Sequence, residues 1–111
     1  MEQYDSELTN QIVEILESKK ALDIKVIDIQ EKTILSDYFI IATGTSNTHI
    51  RALADEIEYK LKEKNITVNN KEGKEYNSWI LLDYGEVIVH IFSEETRKFY
   101  NIENLWSEKK I

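Results

Sequence analysis

The residue types able to do chemistry are few in this chain. His49 and His90 are its two histidines, and there is no cysteine. A metal site draws on Cys, His, Asp or Glu at close spacing, and neither histidine has a carboxylate at ligand spacing beside it, so no metal is expected. Without a thiol there is no cysteine nucleophile, no thiol redox chemistry and no disulfide framework. Ser46 follows a strand-like run and opens a helix-like one, the setting of a nucleophile elbow. The run Thr43-Gly44-Thr45-Ser46-Asn47 lacks the second glycine that such a strained turn requires. Ser46 is therefore read as a helix cap, and Gly44 as the source of an unusual backbone angle.

The same Gly-Thr-Ser loop offers backbone N–H groups and a helix N-terminus to a phosphate. No lysine follows as in a P-loop, and Gly44, Gly73 and Gly85 are too far apart for a G-x-G-x-x-G fingerprint. Asp55 and Glu56, adjacent on the following helix, do not converge on one Mg²⁺. An active phosphoryl or nucleotidyl transferase is not expected, no cofactor is implied, and nucleotide binding at 44–46 stands as an alternative function.

The run from Trp79 to Phe92 differs in kind. Two apolar segments, 79–83 and 87–92, flank the turn Tyr84-Gly85-Glu86 and predict a β-hairpin. Alternation puts Trp79, Leu81 and Asp83 on one face and Ile80, Leu82 and Tyr84 on the other. On the next strand Val87, Val89 and Ile91 oppose Ile88, His90 and Phe92. A small domain does not easily bury both faces of so apolar a hairpin, so one face or an edge is expected to meet another protein. Trp and Tyr are common interface anchors, and Asp83 and Glu86 suit a basic partner. Trp79 reads equally well as a core side chain.

These residues need a scaffold, and the hydrophobic periodicity supplies one. Asp5 or Ser6 caps a first helix with Leu8, Ile12, Ile15 and Leu16 at helical spacing. Residues 22–29 and 38–43 read as strands, the second apolar on both faces and so covered on both sides. A long helix over 47–64 carries Ile50, Leu53, Ala54, Ile57 and Leu61 on one stripe. A short strand at 66–68 then leads through a polar loop, Asn69 to Lys74, into the hairpin. A last helix is predicted after Ser93, with Phe99, Ile102 and Trp106 on its inner face. The order αββαβββα implies one α/β (α+β) domain over residues 1–111, with a mixed sheet of about five strands flanked by helices.

Composition narrows the functional classes further. The chain has 111 residues, 14 basic and 21 acidic, for a formal charge of −7. Its field repels phosphate backbones and anionic lipid, so little direct nucleic-acid contact and no membrane partner are expected, and a basic protein suits it better. The longest apolar runs fall far below the ~20 residues that cross a bilayer. The opening Met1-Glu2-Gln3-Tyr4-Asp5 lacks an apolar secretory segment, so a cytoplasmic location is expected.

Several blocks together resemble one family. Trp79 to Phe92, Ser36 to Ser46, the His49-Ile50-Arg51-Ala52-Leu53-Ala54-Asp55 helix, Glu72-Gly73, Glu95-Thr96-Arg97 with Phe99-Tyr100, and Leu105-Trp106 are similar, in order and distance, to the Iojap family of bacterial ribosomal silencing factors. The resemblance implies a translational repressor and not an enzyme. Such a protein binds the large ribosomal subunit through its basic protein uL-fourteen and sterically blocks joining of the small subunit. It also implies a fold like a degenerate nucleotidyltransferase, and a homodimer. Carried over by position, the partner-binding residues are Trp79, Leu82, Asp83, Tyr84 and Gly85. Trp79 would be the aromatic anchor, Asp83 the carboxylate meeting a cation, and Gly85 the residue permitting the turn. Many family members place a proline before the Glu72-Gly73 pair, and this chain has no proline. Tyr76-Asn77-Ser78 is also more polar than is usual there. A homodimeric module for some other cytosolic protein is a third possibility that composition permits.

Overall fold

A computed structural model of the chain describes residues 4–73 and 78–107; the Tyr76-Asn77 pair lies outside the described residues. The first helix, α1 (Glu7–Ser18), starts at Ser6, whose Oγ accepts from the Thr9 N–H at 3.1 Å. That bond satisfies one of the N–H groups a helix start leaves without a partner. Thr9, Ile12, Val13 and Leu16 face inward from it. Strand β1 (Leu22–Asp28) pairs antiparallel with β2 (Tyr38–Thr43), with a register shift between Leu22 and Lys25 and a left-handed backbone at Asp23.

All six residues of β2 are buried. Tyr38, Ile40 and Ala42 pack in one cluster and Phe39 and Ile41 in another, so both faces of the strand are covered, as its unbroken apolar run predicts. Helix α2 (Asn47–Lys62) lays Ile50, Leu53, Ala54, Ile57 and Leu61 on the first of these clusters. Strands β3 (Asn70–Gly73), β4 (Trp79–Asp83) and β5 (Val87–Phe92) complete a five-stranded sheet in the order β1-β2-β5-β4-β3. The β2–β5 pair is parallel and the other pairs are antiparallel, which makes the sheet mixed. Helices α1 and α2 cover one face; α3 (Glu94–Tyr100) and α4 (Ile102–Ser107) lie toward the other, where Ile102 and Trp106 pack.

Two details depart from the expectations above. The third strand is Asn70–Gly73, not 66–68. Ile66 and Val68 pack beside the first cluster, and the polar stretch after them takes the edge of the sheet. Ladder pairing uses backbone groups and does not require apolar side chains. Lys71 helps to hold this edge by reaching Glu58 Oε2 at 2.7 Å on α2. The last helix is broken at Asn101, which adopts a left-handed conformation (φ 48°) and ends α3. The break redirects the chain into α4, so Ile102 and Trp106 face the sheet while Phe99 is exposed.

Candidate protein-binding surface

The β4–β5 hairpin obeys the alternation read from the sequence. Ile80, Leu82, Tyr84, Val87, Val89 and Ile91 belong to the cluster under α1 and α2, and Trp79, Ile88 and Phe92 belong to the opposite one. Cross-strand partners share a face, so Asn70 and Glu72 of β3 lie beside Asp83 and Leu81. Glu72 is exposed, and Trp79, Leu81, Asp83 and Ile88 are each half-buried. Together they form a partly open surface that mixes apolar and acidic groups.

Trp79 sits between core and surface. Its ring lies 4.8 Å from Phe92 and 4.7 Å from Tyr100, centroid to centroid, and its Nε1–H donates to His90 Nδ1 at 3.1 Å. That bond makes Nδ1 the acceptor, so neutral His90 carries its proton on Nε2. Burial pushes the His90 imidazole down to about 4, so it is neutral at physiological pH. His90 Nε2 is buried without a hydrogen-bond partner, and the ring meets Phe39 edge-on at 4.9 Å. His90 thus orients the tryptophan from below the surface.

The turn is built by Asp83 and Gly85. Asp83 Oδ1 accepts from the Gly85 N–H at 2.8 Å, and the Tyr84 N–H reaches Val87 O at 2.9 Å. Gly85 has φ +91°, a conformation that an L side chain strains to adopt, and a Cβ there would come within 3.3 Å of Asn69 Nδ2. One carboxylate oxygen of Asp83 is committed to the turn, so this residue shapes the surface as well as charging it.

Leu82 and Tyr84 lie elsewhere. Leu82 is fully buried and Tyr84 nearly so, both in the cluster facing α2. Burial pushes the Tyr84 hydroxyl up to about 12, with Glu58 adding to the shift. Strand alternation sends both away from Trp79, so Leu82 cannot touch a docked protein while the sheet is intact. Leu82 supports the hairpin from the core side. Leu81 and Ile88 occupy the open face instead, and the two-residue period was the signal for them.

Two N–H groups of the 44–46 loop are taken up by the protein's own acceptors. The Gly44 N–H donates to Phe92 O at 2.9 Å and the Thr45 N–H to His49 Nδ1 at 2.9 Å. Ser46 caps α2 by accepting from the His49 N–H at 3.1 Å, as its position predicts. With Nδ1 occupied, His49 Nε2 carries the proton and donates to Lys19 O at 2.9 Å, tying α2 to the end of α1. Gly44 does not have the positive φ expected of it. It is required by proximity: a Cβ there would stand 2.6 Å from Ile50 Cγ1 and 3.1 Å from Ile50 N. A groove of about 460 Å³ opens nearby between β1 and α3. Its Arg97 is satisfied internally, by Thr43 Oγ1 at 2.7 Å and Glu103 Oε1 at 2.5 Å. Among the described residues no three His, Asp or Glu side chains gather as metal ligands would.

A sequence model of the family described as "Ribosomal silencing factor during starvation" matches residues 2–111. The chain belongs to the ribosomal silencing factor family. It is 38% identical over 104 residues to ribosomal silencing factor RsfS of Chromobacterium violaceum, spanning 94% of this chain and 85% of that protein. It is 37% identical over 92 residues to RsfS of Bacillus subtilis, spanning 83% and 78% of the two chains. A crystal structure of a Chromobacterium violaceum protein superposes with a TM-score of 0.89 at 37% identity, covering 98% of this chain and 91% of that one. One from Bacillus halodurans gives 0.81 at 31% identity, covering 95% and 98%. No helix among the described residues is long and apolar enough to cross a membrane.

Proposed function

We propose that this protein represses translation in the cytoplasm by binding the large ribosomal subunit and occupying the surface where the small subunit docks. It acts by occupancy and not by catalysis. Family membership over residues 2–111 carries this conclusion. A relative from mouse, "Mitochondrial assembly of ribosomal large subunit protein 1", is 34% identical over 99 residues, and the match spans 43% of its length. The receptor on the subunit would be the basic protein uL-fourteen. The open face of the hairpin has the matching chemistry, with Trp79 as anchor, Leu81 and Ile88 as apolar contacts, and Asp83 and Glu72 as acidic ones. A chain of charge −7 meets a basic protein favourably while ribosomal RNA repels it. The same apolar face supports a homodimer, in which case self-association and ribosome binding would compete.

Co-sedimentation with separated ribosomal subunits tests this directly. The protein should pellet with large subunits and not with small ones, and its addition should reduce the joined-ribosome peak in a sucrose gradient. Failure to pellet with large subunits would refute the proposal.

A further inference from the structure

The loop between β1 and β2 carries two aliphatic side chains that the fold leaves outside both cores. Ile34 is fully exposed and Leu35 is 78% exposed, whereas Ile29 at the start of the loop is fully buried. The loop is held in shape from within. Lys32 and Thr33 donate backbone N–H groups to Ile29 O, and the Leu35 N–H donates to Thr33 Oγ1 at 3.1 Å. Its far end is bound to the β4–β5 turn. Ser36 Oγ donates to Gly85 O at 2.9 Å, and the Asp37 and Tyr38 N–H groups donate to Glu86 O at 2.9 and 3.0 Å. Consecutive Cα atoms are ~3.8 Å apart, so Leu35 is one residue and Ile34 two from the residues that touch this turn. The pair is thus adjacent to the end of the hairpin where Asp83 and Gly85 lie.

The surroundings are acidic. Asp28, Glu31 and Asp37 of this loop region and Asp83 and Glu86 of the turn outnumber the one lysine, Lys32, in the same two segments. Burial raises the Tyr38 hydroxyl above its ordinary value, with the fields of Asp28, Asp5 and Asp37 adding to the shift. An apolar tip inside a charged rim has the anatomy of a protein-docking surface. A tip already fixed by hydrogen bonds loses little conformational entropy when it docks.

We propose that Ile34 and Leu35 are the apolar tip of the partner-binding surface and insert into an apolar recess ringed by lysine and arginine on the protein bound there. The proposal rests on the ribosomal reading above and extends the contact from the hairpin face to this loop. A second copy of the chain is a poor occupant, because tip-to-tip contact would bring the two acidic rims together.

The test compares wild type, the double variant Ile34→Ser with Leu35→Ser, and Trp79→Ala in co-sedimentation with purified large subunits. Both loop side chains are exposed, so the double variant should melt like wild type. Its affinity should fall about tenfold to a hundredfold. Wild-type binding with an unchanged double variant would overturn the proposal while leaving the ribosomal reading intact. Absence of wild-type binding would overturn both. Tyr59→Ser removes an exposed aromatic on α2 and should bind normally; an equal loss there would show a general response to surface change and also overturn the assignment.

Discussion

Replacing Trp79 by alanine does two separable things, and the structure gives a size to each. Truncating a tryptophan in a full core costs ~3–5 kcal/mol. Trp79 is half-buried between Phe92 and Tyr100, so its share of lost packing is about 2 kcal/mol. The change also removes the donor to His90 Nδ1, stranding a buried acceptor at a cost of ~1–3 kcal/mol. The expected destabilisation is therefore ~3–5 kcal/mol, against the ~5–15 kcal/mol that a domain of this kind possesses. The variant should still fold in the absence of denaturant. Its urea midpoint should fall by ~2–3 M if the transition slope is ~1.5 kcal/mol/M. Trp79→Phe keeps an aromatic ring against Phe92 and Tyr100 and loses only the N–H, so it should lose about half as much. Both variants are then scored for large-subunit binding in buffer, where both are folded. Trp79→Ala should lose binding, and Trp79→Phe should retain part of it. A Trp79→Ala midpoint within ~0.3 M of wild type would refute the structural half of this reasoning, because the indole would then be holding nothing.

Other outcomes follow from the same contacts. His90 has a folded-state pKa of about 4 against an ordinary value of 6.5. The unfolded chain therefore binds the extra proton first, and the His90 contribution to stability is complete above pH 6.5 and lost as the pH falls toward 4, amounting to ~3 kcal/mol. Denaturation curves of wild type and His90→Gln should consequently converge between pH 7 and pH 4; a constant gap would refute it. Gly44→Ala would push a methyl to 2.6 Å from Ile50 Cγ1 and should cost ~1–3 kcal/mol, read as a lowered melting temperature. Asp83→Lys should weaken large-subunit binding by ~2–5 kcal/mol if a desolvated cation faces it, measured by titration against labelled protein. Asp83→Asn keeps an oxygen that can accept from the Gly85 N–H, so it separates the turn from the charge.

Much of the scaffold could be read from the chain because local and global preferences agree in it. The apolar stripe of α2, the cap at Ser46, the two-sided burial of β2 and the faces of the β4–β5 hairpin all follow from period and residue type. Where the structure departs, pairing or a single backbone angle decided the matter. β3 is an edge strand of polar residues, Asn70–Gly73, and composition carries no sign of it because its ladder is made by backbone groups. Asn101 breaks the last helix through a left-handed conformation, and that re-phasing exposes Phe99. Gly44 was legible as a required glycine, but the requirement is the proximity of Ile50 and not an angle.

For the candidate surface the division is similar. The two-residue period by itself separated Trp79, Leu81 and Asp83 from Leu82 and Tyr84, and family membership follows from blocks distributed along the whole chain. Only the tertiary structure decided which hairpin face α1 and α2 cover, and hence that Leu82 belongs to the core. It alone bound Trp79 to His90 and brought Ser36 and Asp37 of one loop against Gly85 and Glu86 of another. Periodicity tells which side chains share a face. Which face is covered depends on contacts between segments far apart in sequence, and these are set by packing of the whole domain.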